Sequence, residues 1–188
     1  MMAPRPANAR RNVALGILLL ARGRPAGLAQ FGDTSQALLA SLAPLIAFPL
    51  VATVLLVLSD GDLGALSDFF KFICALVTPL VVSFEVARRW GREAAWLHYA
   101  TAFCWCQWAV PLAVAVLLMA LAPVMWLGLP GDTAGVGLLL GVVAYVLWLQ
   151  WFLARHALEL SALRAAGLVG IVTVVTAALV ALPPLLAG

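Results

Sequence analysis

LLASLAPLIAFPLVATVLLVL, residues 38–58, runs for twenty-one positions without a charged side chain. At 1.5 Å per residue a helix of that length covers about 30 Å, the depth of a bilayer's hydrocarbon core. The full apolar stretch is 36–58, and four more follow: 69–87 (FFKFICALVTPLVVSFEVA), 97–126, 134–154 and 163–186. The third is the longest and has room to tilt or to project from the membrane. In lipid every backbone polar group must be satisfied internally, so each stretch reads as a spanning helix. The alternation that a membrane β-barrel requires is missing. The expected fold is all-α: a polytopic bundle of five transmembrane helices, residues 36–188, preceded by a short segment, 1–35.

Composition agrees. Of 188 residues, 65% are hydrophobic and 10% charged, with eight acids, eleven bases and a mean hydropathy of +1.09. A soluble domain carries about a quarter charged residues, so a soluble enzyme, a disordered chain and a secreted disulfide scaffold are excluded. Ten of the eleven bases are Arg and one is Lys71, a bias typical of a GC-rich bacterial genome. No basic stripe of the kind nucleic acid needs is present. The three cysteines, Cys74, Cys104 and Cys106, sit in apolar runs and read as small apolar fillers.

The connectors fix the direction of the chain. Ser59-Asp60-Gly61-Asp62 and Leu129-Pro130-Gly131-Asp132 are turn clusters. Arg5, Arg10, Arg11, Arg22 and Arg24 precede the first span; Arg88, Arg89 and Arg92 follow the second, and Arg155 and Arg164 the fourth. The other side has Lys71 alone. Since Lys and Arg mark the cytoplasmic side, the N-terminus is expected in the cytoplasm and Gly188 in the periplasm, across a bacterial inner membrane. Trp90, Trp96, Tyr99, Trp148, Trp151 and Phe152 fall at the inner interface, and Phe69, Phe70, Phe72 and Trp126 at the outer one.

Residues 10–22 (RRNVALGILLLAR) combine bases with a run too short to cross. Arg22 and Arg24 follow the run directly, where a signal-peptide cleavage region would be small and uncharged. The expectation is an amphipathic helix in the inner interface; a helix packed on the protein itself is the alternative.

A charged group in a span is costly and is a functional candidate. Glu85 is the acid inside a span, and Arg88 and Arg89 stand at i+3 and i+4, placed for an interfacial ion pair. The other use of Glu85 would be proton or carboxylate chemistry. Lys71 can pair with Asp68 and reach water. His98 and His156 share the inner level and could in principle ligate haem, though no further ligand is supplied. The Cys104 and Cys106 side chains point about 200° apart on a helix and make a poor chelate. Gln107 and Gln150 are amides within spans, able to bond between helices.

Gly137-x-x-x-Gly141 offers a flat face for helix packing, inside the bundle or against another chain, and Ala177-x-x-x-Ala181 is a weaker version. Pro44, Pro49, Pro79, Pro111 and Pro123 each remove a backbone hydrogen bond in the first three spans. A kinked but closed bundle is expected. No triad, P-loop or acidic pair is found, and Ser41, Ser83 and Ser161 lack a nucleophile turn, so no enzyme, no metal and no cofactor is expected.

LWLQWFLARHALELSALRAAGLVGIV (147–172) resembles the last two spans of bacterial Yip1-like membrane proteins: a Trp-containing span, a short amphipathic turn and a final apolar helix. HYATAFCWCQWAVPLAVAVLL (98–118) is similar to the middle span of small five-helix proteins of that kind. The resemblance covers residues 68–182 and implies five spans with a cytoplasmic N-terminus. Eukaryotic relatives take part in vesicle trafficking and bind small GTPases through other proteins or cytosolic segments. The resemblance supplies no catalytic residues.

Three functional expectations follow. The first is a non-enzymatic Yip1-like scaffold or accessory subunit that contacts lipid, other membrane proteins or its own copies. The second is a small transporter with Glu85 and Gln107 lining a path. The third is a haem- or quinone-linked redox subunit using His98 and His156.

Overall fold

A computed structural model describes residues 12–61, 64–126 and 131–186. They form seven α-helices: α1 (Val13–Ala21), α2 (Ser35–Asp60), α3 (Gly64–Arg89), α4 (Glu93–Cys106), α5 (Ala109–Trp126), α6 (Gly131–Ala157) and α7 (Ala162–Leu186). A 3₁₀ helix, Pro25–Gln30, follows α1. No strand occurs among the described residues. Arg5, Arg10 and Arg11, residues 62–63 and 127–130, and Gly188 lie outside them.

Five stretches are long and apolar enough to cross a membrane: Ser35–Ser59, Gly64–Arg89, Glu93–Pro123, Asp132–Ala157 and Ala162–Ala181. The chain is an all-α, multi-pass membrane protein. α3 starts five residues before the apolar run at 69, because Ala65, Leu66 and Ser67 continue the helix into its polar end.

Local chemistry sets the helix ends. The Thr34 hydroxyl accepts from the Ala37 amide at 3.2 Å to start α2, and Gly61, at φ +67°, stops it. α3 ends at Gly91, at φ +70°, where the Arg92 amide reaches back to the Ala87 carbonyl at 2.8 Å. α6 ends the same way, with the Leu160 amide on the Arg155 carbonyl at 3.1 Å. There the left-handed residue is Glu159, at φ +52°, where glycine is usual.

The third span is not one helix. It breaks between Cys106 and Ala109. Pro111 has no amide to give the Gln107 carbonyl and its ring crowds that carbonyl. The chain turns instead through three tighter bonds, from the amides of Gln107, Trp108 and Val110 to the carbonyls of Cys104, Trp105 and Gln107, at 3.2–3.3 Å. Pro44 and Pro49 in α2, Pro79 in α3 and Pro123 in α5 lie inside continuous helices.

α4 is the axis of the bundle and packs against α2, α3 and α6; α3 packs on α7, and α7 and α5 both pack on α6. From Tyr99 to Cys106 only Trp105 is not fully buried. Leu153 and Ala154 of α6 and Ala165 and Leu168 of α7 close around this segment. All of them lie in the half of the molecule where the arginines gather, here termed the basic end. In the opposite half Leu55 of α2, Met119 of α5, Leu139 of α6 and Val174 of α7 face outward.

The N-terminal segment is docked on this core. α1 and the 3₁₀ helix form a hairpin, closed by the Gln30 side-chain oxygen accepting from the Asn12 amide at 3.0 Å. Gly16 and Gly27 let its two arms touch: a Cβ on Gly27 would lie 2.7 Å from the Gly16 carbonyl oxygen. Leu20 and Phe31 are buried, the Ala21 carbonyl accepts from the Tyr145 hydroxyl at 3.3 Å, and Gly23 lies against the Trp148 ring. α1 packs on α4, α5 and α6. Leu15 and Leu18 still face outward.

Candidate functional site

The polar side chains divide into two groups by height. At the basic end they tie helices and turns together. Glu85 holds two arginines of its own helix, its Oε2 on Arg88 Nη2 at 2.7 Å and its Oε1 on Arg89 Nε at 3.0 Å. Arg92 Nη1 reaches Glu159 Oε2 at 3.0 Å, joining the α3–α4 turn to the α6–α7 turn. Trp96 donates its indole N–H to Ser83 Oγ at 3.1 Å, and Trp151 donates to the Ala162 carbonyl at 3.1 Å with Arg155 lying over its ring. At the other end Lys71 pairs with Asp68 at 2.8 Å, both exposed.

The two histidines belong to these ties. His98 Nε2 bonds the Leu28 carbonyl of the hairpin at 2.9 Å. His156 Nδ1 bonds the Phe152 carbonyl of its own helix at 2.9 Å, and its ring stacks on Phe152. Each imidazole thus spends one nitrogen on backbone, and the two bond to different elements. Among the described residues no group of three or more His, Cys, Asp or Glu converges as a metal site. Cys104 and Cys106 are buried and Cys74 is exposed, and all three are free thiols.

At mid-height the bundle is open rather than closed. The break at Gln107 and Trp108 turns α5 away from α2 and α3, leaving a cavity of about 440 Å³ between them. Its walls include Phe48, Pro49, Phe72, Trp108 and Pro111. Phe48 and Trp108 meet edge to face at 5.7 Å. A second cavity, of about 400 Å³, lies between α3, α6 and α7 and shares Ala75 and Gln107 with the first. Both are within the size range of small-molecule sites. No charged side chain lines either one.

Gln107 is fourteen residues past Glu93, about 21 Å along the helices at 1.5 Å per residue. Glu85 is ten residues from Ala75 on α3, about 15 Å from the cavities. Glu85 thus stands at the basic end and Gln107 at mid-height, and the fold does not bring the two together. The small-residue pair is also divided. Gly141 packs on Leu117 of α5, while a Cβ on Gly137 would meet nothing within 4 Å.

The sequence marks Thr176 as one of several span hydroxyls able to bond between helices, and the structure shows it without such a bond. Its hydroxyl is buried, has no hydrogen-bond partner and lies in the wall of the second cavity. Nothing at the level of sequence separates it from Thr53 or Thr101, since only the tilt of α7 decides where the hydroxyl points.

These features define a class: a polytopic helical membrane protein with a tied basic end and lateral apolar cavities at mid-height. The chain matches no known protein family, no curated protein and no solved structure.

Proposed function

We propose that this is a non-enzymatic membrane protein of Yip1-like type, acting as a scaffold or as the accessory subunit of a membrane complex. It sits in a bacterial inner membrane with its basic end and N-terminus in the cytoplasm and its C-terminus in the periplasm. In the sequence ten arginines flank the first, second and fourth spans on one side against one lysine on the other, which supports that direction.

The observation that carries the scaffold role is the free face of α6. Gly137 stands before open space, with Val136 and Leu140 exposed beside it and Ala144 seven residues on. Residues seven apart share a helix face, so Gly137 and Ala144 make a strip low enough for another helix to approach closely. In lipid, association of helices depends on such close packing because burial of apolar surface gives no gain.

The test is cross-linking in native membranes. Gly137→Cys, in a Cys74→Ala background, is expected to give an oxidised adduct, with a second copy or with another membrane protein. Gly137→Ile should remove that association in particles extracted with native lipid. Should the parent run as a lone 19.8 kDa chain in those particles and the Cys variant form no adduct, the scaffold role is lost.

A further inference from the structure

α6 and α7 pack side by side but do not close along their whole length. A groove of about 370 Å³ remains between them, walled by Leu147 and Trp151 of α6 and by Ala166, Val169, Gly170 and Val174 of α7. Leu147, Gly170 and Val174 are exposed, so the groove opens to the side of the bundle. From Ala166 to Val174 it runs about 12 Å along the helix, close to the depth of one leaflet of a bilayer core of about 30 Å.

The basic end of this groove carries a charge. The Trp151 indole donates to the Ala162 carbonyl at 3.1 Å, which ties the ring across to α7. The Arg155 guanidinium lies over that ring, its Cζ 5.3 Å from the centroid. Leu147, Trp151 and Arg155 stand four residues apart and share one face of α6. Arg155 is exposed and, unlike Arg88, Arg89 and Arg92, has no acid partner among the described residues. An apolar channel one leaflet deep thus ends at an uncompensated cation.

We infer that this groove binds an anionic phospholipid of the leaflet at the basic end. One acyl chain lies between Leu147 and Gly170, and the headgroup phosphate pairs with Arg155, whose planar fork of N–H donors matches phosphate oxygens. Charge selects the class. A zwitterionic head brings a cation as well, and Glu85 and Glu159 of this end are already held by arginines. A Cβ on Gly170 would meet nothing within 4 Å, so its missing side chain keeps the channel open. Arg155 is eighteen residues from Gly137 along α6, about 27 Å, and the lipid site stands or falls apart from the scaffold face.

The full chain in a neutral detergent is titrated with phosphatidylglycerol or phosphatidylcholine, and retained lipid is counted by native mass spectrometry. One phosphatidylglycerol per chain is expected, held about tenfold more tightly than phosphatidylcholine, with glycerol phosphate failing to compete. Arg155→Gln should erase that preference. Arg88→Gln removes the same charge from another helix end and should change binding by less than about twofold. Gly170→Leu fills the groove without meeting the protein and should abolish retention of both lipids. Its lipid-free form should unfold no lower than the parent, since leucine is the better helix former. Equal retention of the two lipids by the parent, or an unchanged preference in Arg155→Gln, overturns the proposal. So does a second protein chain retained in place of lipid and displaced by Gly170→Leu.

Discussion

The basic half and the opposite half of the bundle use the same amino acids differently. Leu153, in the basic half, is 1% exposed; Leu139, fourteen residues earlier on the same helix, is 63% exposed. In the basic half the helices are held by indole, imidazole and guanidinium groups reaching backbone or acid partners. In the opposite half such ties are few and large apolar side chains face outward. Lipid tails are as apolar as leucine, so burial of apolar surface gives helices no reason to close, and polar ties and close packing decide where they do. Where the ties are few, the mid-height cavities persist.

Paired substitutions test the contrast. The largest effect is expected for Leu153→Ala, which empties a packed site and should cost about 2–5 kcal/mol; Leu139→Ala should stay within about 0.5 kcal/mol. Reversible unfolding in mixed micelles measures both, and equal losses would break the comparison. Next is the hairpin. Gly27→Ala puts a methyl against the Gly16 backbone and should cost about 1–3 kcal/mol, visible as faster tryptic cleavage at Arg22.

In the open half Gly135→Ala meets nothing within 4 Å. It should stabilise α6 by up to about 1 kcal/mol, the difference in helix propensity. Its unfolding midpoint should move opposite to that of Gly27→Ala. The smallest effect belongs to Arg92→Gln. That pair is exposed, so its loss should cost about 0.2–1 kcal/mol and shrink further in high salt.

The five spans were legible because hydrocarbon imposes one length and one composition on them. The Glu85 arginine pair was legible too, since i+3 and i+4 spacing on a helix leaves little choice. The break in the third span was not. The five prolines of the first three spans each delete an amide, and nothing local marks Pro111 from Pro49. The difference is tertiary: α4 is clasped on all sides up to Cys106, while α5 leans mainly on α6, so the bend gathers at their junction. The docked hairpin was half legible. Its apolar run showed, but the Gly16–Gly27 contact depends on a fold-back that no periodicity records. The separation of Gly137 from Gly141 likewise follows from where α5 ends up.

The hydrogen bond between Tyr145 and Ala21 joins residues 124 apart in the chain. Ala21 leaves the ribosome early, yet the surface that receives it is finished only once the fourth membrane crossing is made. A truncation before α6 would therefore leave α1 without the partner that its last residue holds.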